Sequence, residues 1–315
     1  MSAATVDSAP IVPAGPLPLA AQRRPTLLIV GCGDVGLRVL RRVSPAWRVV
    51  ALTSSPARRA DLRAAGALPL LGNLDDVRTL YRLAPLADVV LHLAPPPNTG
   101  DVDARSAHLA RALARAGRVR RLVYMSTTGV YGDAQGARFD ETRPVAPATA
   151  RARRRVDAEG LWRTWGRRHA VAVTILRVPG IYGLDRAGGD PRDRVRRGTP
   201  VLLPEDDVYT NHVHADDLAR VCVAALFRGR PQRVVHASDD TELSMGDHYD
   251  LVADLAGLPR PPRISRAEAP ARLGEATMSF LSESRRLVNR RLKDELRVVL
   301  QYPTVRDALL PASRG

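Results

Sequence analysis

A glycine-rich turn between an apolar segment and a helical one constrains the fold of this chain more than any other feature. Residues 26–30 read TLLIV, an apolar run typical of a strand buried on both faces. Gly31, Gly33 and Gly36 follow in the spacing G-x-G-x-x-G, and residues 37–43 continue with apolar residues at helical spacing. In such a turn the first glycine permits the bend, the second lets a pyrophosphate approach the backbone, and the third lets the helix pack on the strand. The turn therefore predicts a dinucleotide site with contacts from all six of its residues: Gly31, Cys32, Gly33, Asp34, Val35 and Gly36.

Strands and helices are predicted to alternate along the rest of the chain. Further apolar runs predict strands at 47–53, 67–71, 88–94, 119–126, 171–178 and 233–237. Helical patterns lie between most of them, including 156–165 and a segment that begins at an Asp103 cap and stops at Gly117. This alternation predicts an α/β fold with a Rossmann-type doubly wound parallel sheet.

The pattern changes twice along the chain, which predicts three regions. An Ala- and Pro-rich segment at 1–25 lacks the features of a signal peptide, and we expect a disordered tail. Residues 26–183 are expected to form mainly an NAD(P)-binding Rossmann domain. Beyond Gly183 prolines interrupt the pattern, so 184–315 are expected to form mainly a smaller substrate lobe, with later strands returning to the sheet.

The charge balance is strongly basic, with 48 Lys+Arg against 33 Asp+Glu and a net charge of +15. Such a charge is typical of nucleic-acid-binding proteins, or it reflects arginine usage without functional meaning. We favour the second interpretation, because the arginines are scattered and no nucleic-acid-binding motif accompanies them. A hydrophobic share of 45% and the lack of an apolar run near ~20 residues predict a globular protein without a membrane span. The two cysteines fit no metal or disulfide pattern, and we expect a cytoplasmic location.

The end of the second predicted strand indicates which dinucleotide binds. An NAD site places an acidic residue there, about 20 residues after the glycines, to hold the ribose 2′-hydroxyl. Here residues 53–59 read TSSPARR, with no acid before Asp61. The hydroxyls of Thr53 and Ser54 with the guanidiniums of Arg58 and Arg59 suit a 2′-phosphate, because arginine binds phosphate through a forked contact. The segment predicts NADP rather than NAD, unless its arginines are merely solvated.

Several further segments follow the glycine turn in a recognisable order. They are Leu91–Ala94 (LHLA), Tyr124–Gly132 (YMSTTGVYG), Asp140–Glu141 with Pro144 and Pro147, Arg177–Gly183 (RVPGIYG) and Asn211–Asp217 (NHVHADD). With the turn, they resemble the extended and atypical short-chain dehydrogenase/reductases of the NAD(P)-dependent epimerase/dehydratase type. The segment Ser282–Asn289 (SESRRLVN) is similar to one in the YeeZ-like subgroup. The resemblance covers nearly the whole chain after residue 25 and implies an oxidoreductase, epimerase or dehydratase that acts on a small carbonyl or a sugar nucleotide.

The chemistry implied by the resemblance needs a Ser or Thr and a Tyr-x-x-x-Lys pair, in which the lysine lowers the tyrosine pKa. Counted along the matching segments, the hydroxyl position falls on Thr127, the lysine position on Arg155 and the tyrosine position on Arg151. The only lysine is Lys293, and Asn289 stands four residues before it, so the sequence contains no Tyr-x-x-x-Lys. Arginine is a poor base near pH 7, although a guanidinium at the lysine position can still donate to the nicotinamide ribose.

Four residues are candidates for a substitute acid or base: Tyr131, Tyr182, His212 and His214. Tyr131 lies in a segment that the resemblance places beside the cofactor, and histidine has a suitable ordinary pKa. The alternative is structural, since a half-buried tyrosine usually packs with its hydroxyl satisfied. On this view the histidines shape the turn before a helix whose start is capped by a carboxylate of Asp216–Asp217.

The resemblance also implies cofactor contacts beyond the glycine turn. They are Asn73 and Leu74 near the adenine, Leu93, Ala94 and Pro95 after the fourth strand, and Pro179, Gly180 and Ile181 beside the nicotinamide. Two functions remain open: an NADP-dependent enzyme with a non-standard acid/base, or a catalytically silent NADP-binding sensor or partner-binding protein. We expect a monomer or a homodimer. The arginine-rich stretch 151–155 lies on a helix that is often a dimer face in the family, where it would repel its copy across a two-fold axis.

Overall fold

The computed structural model describes residues 24–43 and 45–310, so the predicted tail at 1–25 lies outside the described residues except for Arg24 and Pro25. The strands in this part of the chain are β1 (Thr26–Val30), β2 (Arg48–Thr53), β3 (Leu68–Leu71), β4 (Val89–His92), β5 (Arg121–Thr127), β6 (Arg138–Phe139), β7 (Ala172–Val178), β8 (Gly180–Tyr182), β9 (Val201–Leu202), β10 (His212–His214), β11 (Arg233–His236), β12 (Arg263–Ile264) and β13 (Arg286–Leu287). The helices are α1 (Asp34–Leu40), α2 (Arg59–Ala64), α3 (Ala104–Ala114), α4 (Ala150–Arg168), α5 (Pro191–Arg196), α6 (Ala215–Arg228), α7 (Met245–Ala256), α8 (Ala269–Arg272), α9 (Glu275–Leu281), α10 (Arg290–Asp294) and α11 (Val305–Leu309). Short 3₁₀ turns occupy Pro56–Arg58, Val77–Leu80, Thr128–Tyr131 and Pro204–Asp206.

A seven-stranded parallel sheet forms the centre, in the order β11-β7-β5-β4-β1-β2-β3. All residues of β1 and β4 are buried, which explains why these strands read as continuous apolar runs. Pro69 is tolerated in β3 because this strand lies at an edge of the sheet, where a missing N–H need not break a ladder. The Rossmann-type fold class predicted from the sequence is confirmed.

Helices cover both faces of the sheet and bury its two apolar surfaces. One face packs against α1 and α6, where Val39 and Leu218 join a core that includes Leu27. The other face packs against α3 and α4, and the fully buried Trp162 lies in that core. Both cores therefore form because each crossover helix turns one apolar side toward the strands.

The later part of the chain adds short elements around one end of the sheet. The two-stranded pairs β8–β10, β9–β12 and β6–β13 are all parallel, and β9 and β12 pack with α7 and α8 in a separate small core. The strand β11 pairs with β7 in the central sheet. The division of the chain near residue 183 into two domains stays a prediction.

Helix boundaries differ from the sequence predictions for reasons visible at their caps. The segment predicted to reach Gly117 ends as a helix at Ala114, although Asp103 caps its start by accepting from the Ser106 N–H at 3.1 Å. The helix predicted over 156–165 is longer, since the Thr149 hydroxyl accepts from the Ala152 N–H at 3.1 Å and starts α4 one turn and more earlier.

The predicted carboxylate cap of α6 is wrong. The imidazole Nδ1 of His214 accepts from the Asp216 N–H at 3.2 Å and caps the helix instead. The Asp217 carboxylate turns away and accepts from the backbone N–H groups of Gln301 and Tyr302 at 2.8 and 2.7 Å. The sequence pattern could not show that the carboxylate had a distant pair of donors.

Two searches of the described residues gave negative results. None of their helices is both long enough and apolar enough to span a membrane. No group of three or more His, Cys, Asp or Glu side chains among them is arranged to hold a metal ion.

Candidate cofactor and active site

The main cavity has a volume of about 590 Å³ and opens beyond the carboxyl ends of β1, β2 and β4. The chain order reverses between β1 and β4, because β1 continues to β2 on one side while β4 continues to β5 on the other. Ligands of doubly wound sheets bind at this kind of reversal. All six residues of the predicted turn, Gly31 to Gly36, line the cavity.

The three glycines of the turn meet three different steric conditions. Gly31 has φ +86°, and a Cβ added there would lie 2.5 Å from the Ala94 main-chain nitrogen. At Gly33 a Cβ would meet no atom within 4 Å, so this side of the backbone faces open space. At Gly36 a Cβ would lie 3.1 Å from the Cys32 Sγ. The first and third glycines therefore serve the fold, whereas the second keeps open a surface that a ligand can approach.

The end of the cavity beside β2 carries hydroxyls and one arginine. Thr53, Ser54 and Arg58 line it, whereas Arg59 is exposed and does not. Within the described residues Arg58 has no carboxylate partner. Its charge reaches the glycine turn: burial raises the pKa of the Cys32 thiol to about 11, and the Arg58 guanidinium acts in the opposite direction. Arg58 is thus a cation available to a ligand at this end.

Two other groups of predicted cofactor contacts also line the main cavity. Asn73 and Leu74 line the cavity, as do Leu93, Ala94 and Pro95.

The third group, the contacts predicted beside the nicotinamide, lines the cavity only in part. Ile181 lines the cavity, whereas Pro179 and Gly180 are not among the lining residues. Arg186, which the sequence analysis missed, also lines it, and its Nε lies 3.3 Å from the Asp34 carboxylate. No local sequence pattern predicts this contact, because Arg186 and the glycine turn are far apart in sequence and meet only in the folded chain.

The guanidinium at the lysine position is fixed beside the cavity. Arg155 Nη1 donates to the Tyr124 hydroxyl at 3.0 Å and to the Met125 carbonyl at 2.7 Å. Met125 lines the main cavity. Lys293 does not line it, since Nζ of this lysine lies 2.6 Å from Asp240 at a separate cavity of about 260 Å³. Arg155 is therefore the cation that stands where the resemblance expects the lysine.

The hydroxyl and tyrosine positions lie at the end of β5 and the start of α4. Thr127 accepts a hydrogen bond at Oγ1 from the Gly129 N–H at 3.3 Å. Arg151 is exposed, and its guanidinium lies 5.3 Å from the centre of the Phe280 ring. Neither Thr127 nor Arg151 is among the residues that line the main cavity.

Tyr131 is held in a buried cluster instead of facing the cavity. Its side chain is 1% exposed, and its hydroxyl lies 2.6 Å from His236 Nε2. His236 Nδ1 lies 2.9 Å from the Val288 carbonyl, which assigns the proton to Nδ1 and makes Nε2 the acceptor. Burial raises the pKa of Tyr131 to about 12, despite the nearby Arg177 charge. This environment favours the neutral phenol and disfavours a general base.

The other three acid/base candidates lie away from the main cavity, where Tyr182 and His214 are buried and His212 is half-buried. Burial raises the pKa of Tyr182 and lowers the pKa of His212 to about 4. His212 stacks on His248 with ring centres 4.1 Å apart, and His214 is the α6 cap. None of the three is among the cavity-lining residues.

A carboxylate from the C-terminal segment reaches the neighbourhood of Thr127. A Cβ built at Gly129 would lie 3.7 Å from Thr127 Oγ1 and 4.0 Å from Glu283 Oε2. Glu283 Oε2 pairs with Arg285 Nη1 at 2.7 Å, and the Glu283 side chain is 7% exposed. The sequence analysis noted this segment for its resemblance alone and assigned Glu283 no role.

Comparisons with known proteins agree with this geometry. A model described as the NAD dependent epimerase/dehydratase family matches residues 27–237. A functionally unknown conserved protein from Silicibacter pomeroyi, known from its solved structure, is 33% identical, with a TM-score of 0.76 over 90% of this chain and 96% of that one.

Two of the similar proteins have named activities. UDP-glucose 4-epimerase of Azospirillum brasilense is 29% identical in an alignment of 252 residues, which covers 74% of this chain but only 66% of that protein. The solved dTDP-glucose 4,6-dehydratase of Bacillus anthracis, in complex with NAD, has a TM-score of 0.72 at 15% identity over 90% of this chain and 94% of that one. The second likeness shows the fold alone.

Proposed function

Since the chain belongs to the NAD-dependent epimerase/dehydratase family, we propose that it binds NADP in the main cavity and exchanges a hydride with a small carbonyl compound or a sugar nucleotide. The observation that carries this proposal is the glycine turn. It opens one backbone face at Gly33, whereas a side chain at Gly31 would overlap the Ala94 main chain and a Cβ at Gly36 would lie tightly against the Cys32 sulfur.

Most of the residues that line the cavity suit parts of a dinucleotide. Its volume of about 590 Å³ lies within the usual range for small-molecule sites. Gly33 would lie against the pyrophosphate, Asn73 would offer both a donor and an acceptor near the adenine, and Ile181 would flank the nicotinamide. The volume and the donor groups of the cavity therefore support the proposal that a dinucleotide binds there.

The preference for NADP rests on the end of β2 alone, because a solved relative holds NAD. Thr53, Ser54 and the unneutralised Arg58 line this end, and no acidic side chain of β2 itself is present to hold a ribose 2′-hydroxyl. A 2′-phosphate would gain a charge-assisted contact from Arg58, whereas NAD would leave this cation without a partner.

The groups at the end of β5 would orient the substrate beside the nicotinamide. Bound nicotinamide supplies or accepts a hydride at C4. The Thr127 hydroxyl would orient the reacting oxygen of the substrate, and Arg155 would donate to the nicotinamide ribose from its fixed position beside Met125. Arg151 occupies the tyrosine position and cannot release a proton near pH 7. The proton that accompanies the hydride would therefore be exchanged with solvent or with another group near Thr127.

A second function is favoured by a specific observation. Arginine stands at both the tyrosine and lysine positions, and none of the four substitute candidates lines the cavity. A protein that binds NADP without turnover, as a sensor of its redox state or as part of a complex, would have this arrangement. Loss of NADPH absorbance in the presence of carbonyl compounds or sugar nucleotides would separate the enzyme from the sensor.

The first test is thermal denaturation with NADP, NADPH, NAD and NADH at equal concentrations. A ligand at 100 times its Kd stabilises the folded state by about 2.7 kcal/mol, which raises the Tm by about 5 °C for a chain of this size. A shift with the phosphorylated pair alone would support NADP. An equal shift with all four would contradict the role given to Arg58, and no shift with any would refute the proposed function.

A further inference from the structure

The arginines at the start of α4 differ in whether their charge is neutralised. Arg153 pairs with the Asp101 carboxylate at 2.9 Å, and Arg154 is buried and donates to the Gly100 carbonyl. Arg155 donates only to a hydroxyl and a carbonyl through Nη1, and its Nε and Nη2 bond to no described residue. Arg151 contacts the Phe280 ring and, within the described part of the chain, pairs with no carboxylate.

The two unneutralised guanidiniums belong to the same face of the helix. Residues four apart in an α-helix lie one above the other, so Arg151 and Arg155 are neighbours along α4. Arg155 is anchored at Met125, on the wall of the main cavity. The ring of Phe280, 49% exposed, supports the Arg151 guanidinium from the opposite segment.

The acids around this position do not compensate the two charges. Glu283 pairs with Arg285 at 2.7 Å, and Glu159 pairs with Arg177 at 2.6 Å. Asp157 of the same helix accepts from the Asp103 N–H at 2.8 Å. Two positive charges therefore remain on one face of α4, and the nearer one, on Arg155, is bonded to Met125 in the wall of the main cavity. An anion bound by both guanidiniums would reduce the repulsion between them.

We propose that the substrate carries a carboxylate near the carbon that exchanges the hydride, and that Arg151, assisted by Arg155, binds this carboxylate. The inference rests on the proposed function, because it places the substrate beside bound NADP. The planar guanidinium donates two parallel hydrogen bonds to a carboxylate, which fixes both the position and the orientation of the substrate. A 2-oxo or 2-hydroxy acid has this chemistry, as does the uronic acid unit of a sugar nucleotide.

Titration calorimetry of the full chain, with and without saturating NADP, distinguishes these sources. UDP-glucuronate and UDP-glucose differ only at C6 of the sugar, which is a carboxylate in the first and a hydroxymethyl group in the second. Oxalate serves as a small probe without a nucleotide. We expect either UDP-glucuronate to bind about 10- to 100-fold more tightly than UDP-glucose, or oxalate to bind in competition with a 2-oxo acid. The first result identifies a uronic acid sugar nucleotide, and the second identifies a small acid.

Matched variants locate the binding site. Arg151→Gln should remove the carboxylate-dependent gain, Arg151→Lys should retain part of it, and Arg153→Gln, on the same helix but paired with Asp101, should leave it unchanged. The Tm shift with NADP should persist in all three variants.

Two outcomes overturn the inference while leaving the proposed function intact. They are equal affinity for the two sugar nucleotides together with no oxalate binding, and a carboxylate preference that survives in Arg151→Gln. If NADP itself gives no Tm shift, the proposed function fails, and the nucleotide-free titrations still decide whether Arg151 binds a carboxylate.

Discussion

Alanine substitutions at two glycines of the same turn should have opposite consequences. Gly33→Ala places a methyl group where no atom lies within 4 Å, on a backbone with φ −84° that any residue adopts. Gly31→Ala places the methyl group 2.5 Å from the Ala94 nitrogen, at φ +86°. The first change should remove a ligand surface without harming the fold, and the second should damage the fold directly.

The expected magnitudes follow from these distances. Gly33→Ala should leave the free energy of unfolding unchanged or raise it by up to about 1 kcal/mol, because alanine restricts the unfolded chain. Gly31→Ala should lower it by about 2–5 kcal/mol, of which about 1–2 comes from the positive φ and the rest from overlap with a main-chain atom that cannot rotate away. With NADP, the wild-type chain should gain about 2.7 kcal/mol at 100 times Kd, and Gly33→Ala should gain little of it.

Urea denaturation monitored by circular dichroism, with and without NADP, measures all of these quantities. A Gly33→Ala protein that keeps the full stabilisation by NADP would refute the assignment of the open backbone face to the pyrophosphate. A Gly33→Ala protein as unstable as Gly31→Ala would refute the steric argument itself. Gly66→Ala is a useful control. Gly66 has φ +91°, and a Cβ added there would meet no atom within 4 Å, so this variant isolates the cost of the positive φ.

Three further predictions concern charge and protonation. Arg58→Ala should weaken NADP binding about 10- to 100-fold in calorimetry and leave NAD binding unchanged. The control Arg59→Ala, whose side chain does not line the cavity, should affect the binding of neither nucleotide. Equal losses of affinity for both nucleotides in Arg58→Ala would contradict the 2′-phosphate contact. Arg177→Met should lower the free energy of unfolding measured in urea by about 3–5 kcal/mol, because it leaves the buried Glu159 carboxylate without its cation. The double variant Arg177→Met with Glu159→Gln should lose less stability than Arg177→Met alone. Additive losses from the two substitutions would contradict this coupling. Burial lowers the pKa of five histidines below the ordinary 6.5, four of them strongly, so the unfolded chain binds more protons than the folded one below that pH. The free energy of unfolding should then fall by up to about 1.4 kcal/mol per pH unit for each as the pH drops from 6.5 to 5, and a flat urea midpoint over this range would contradict it. The four are His92, His212, His236 and His248.

The sheet could be predicted from the sequence because its signals are local. The TLLIV run predicts β1 with the observed bounds, since a strand buried on both faces needs apolar residues throughout. The glycine spacing predicts the turn because Gly31 and Gly36 lie close to neighbouring atoms of the fold, whereas Gly33 leaves a backbone face open to a ligand. The missing Tyr-x-x-x-Lys is likewise a fact of the sequence that no fold could change.

Much of the active site could not be predicted, because its contacts join distant segments. The proximity of Glu283 to Thr127 and the hydrogen bond between Tyr131 and His236 depend on how the C-terminal segment returns to the sheet. Periodicity indicates that a residue is buried but does not identify what lies opposite. The same limit explains the Asp217 error, since the backbone N–H groups that it accepts from lie in another part of the chain.

The core on the α1 face is assembled from both sides of residue 183. Leu27 and Val39 come from the first half, whereas Leu218 and Cys222 of α6 come from the second, and all four are buried together. A shortened chain that stops at residue 183 would keep α1 but would expose to water the part of this face that α6 covers. The halves are therefore not interchangeable modules: a hybrid that joined the first half of this chain to the second half of a relative would have to match α6 against α1, side chain by side chain, before it could fold.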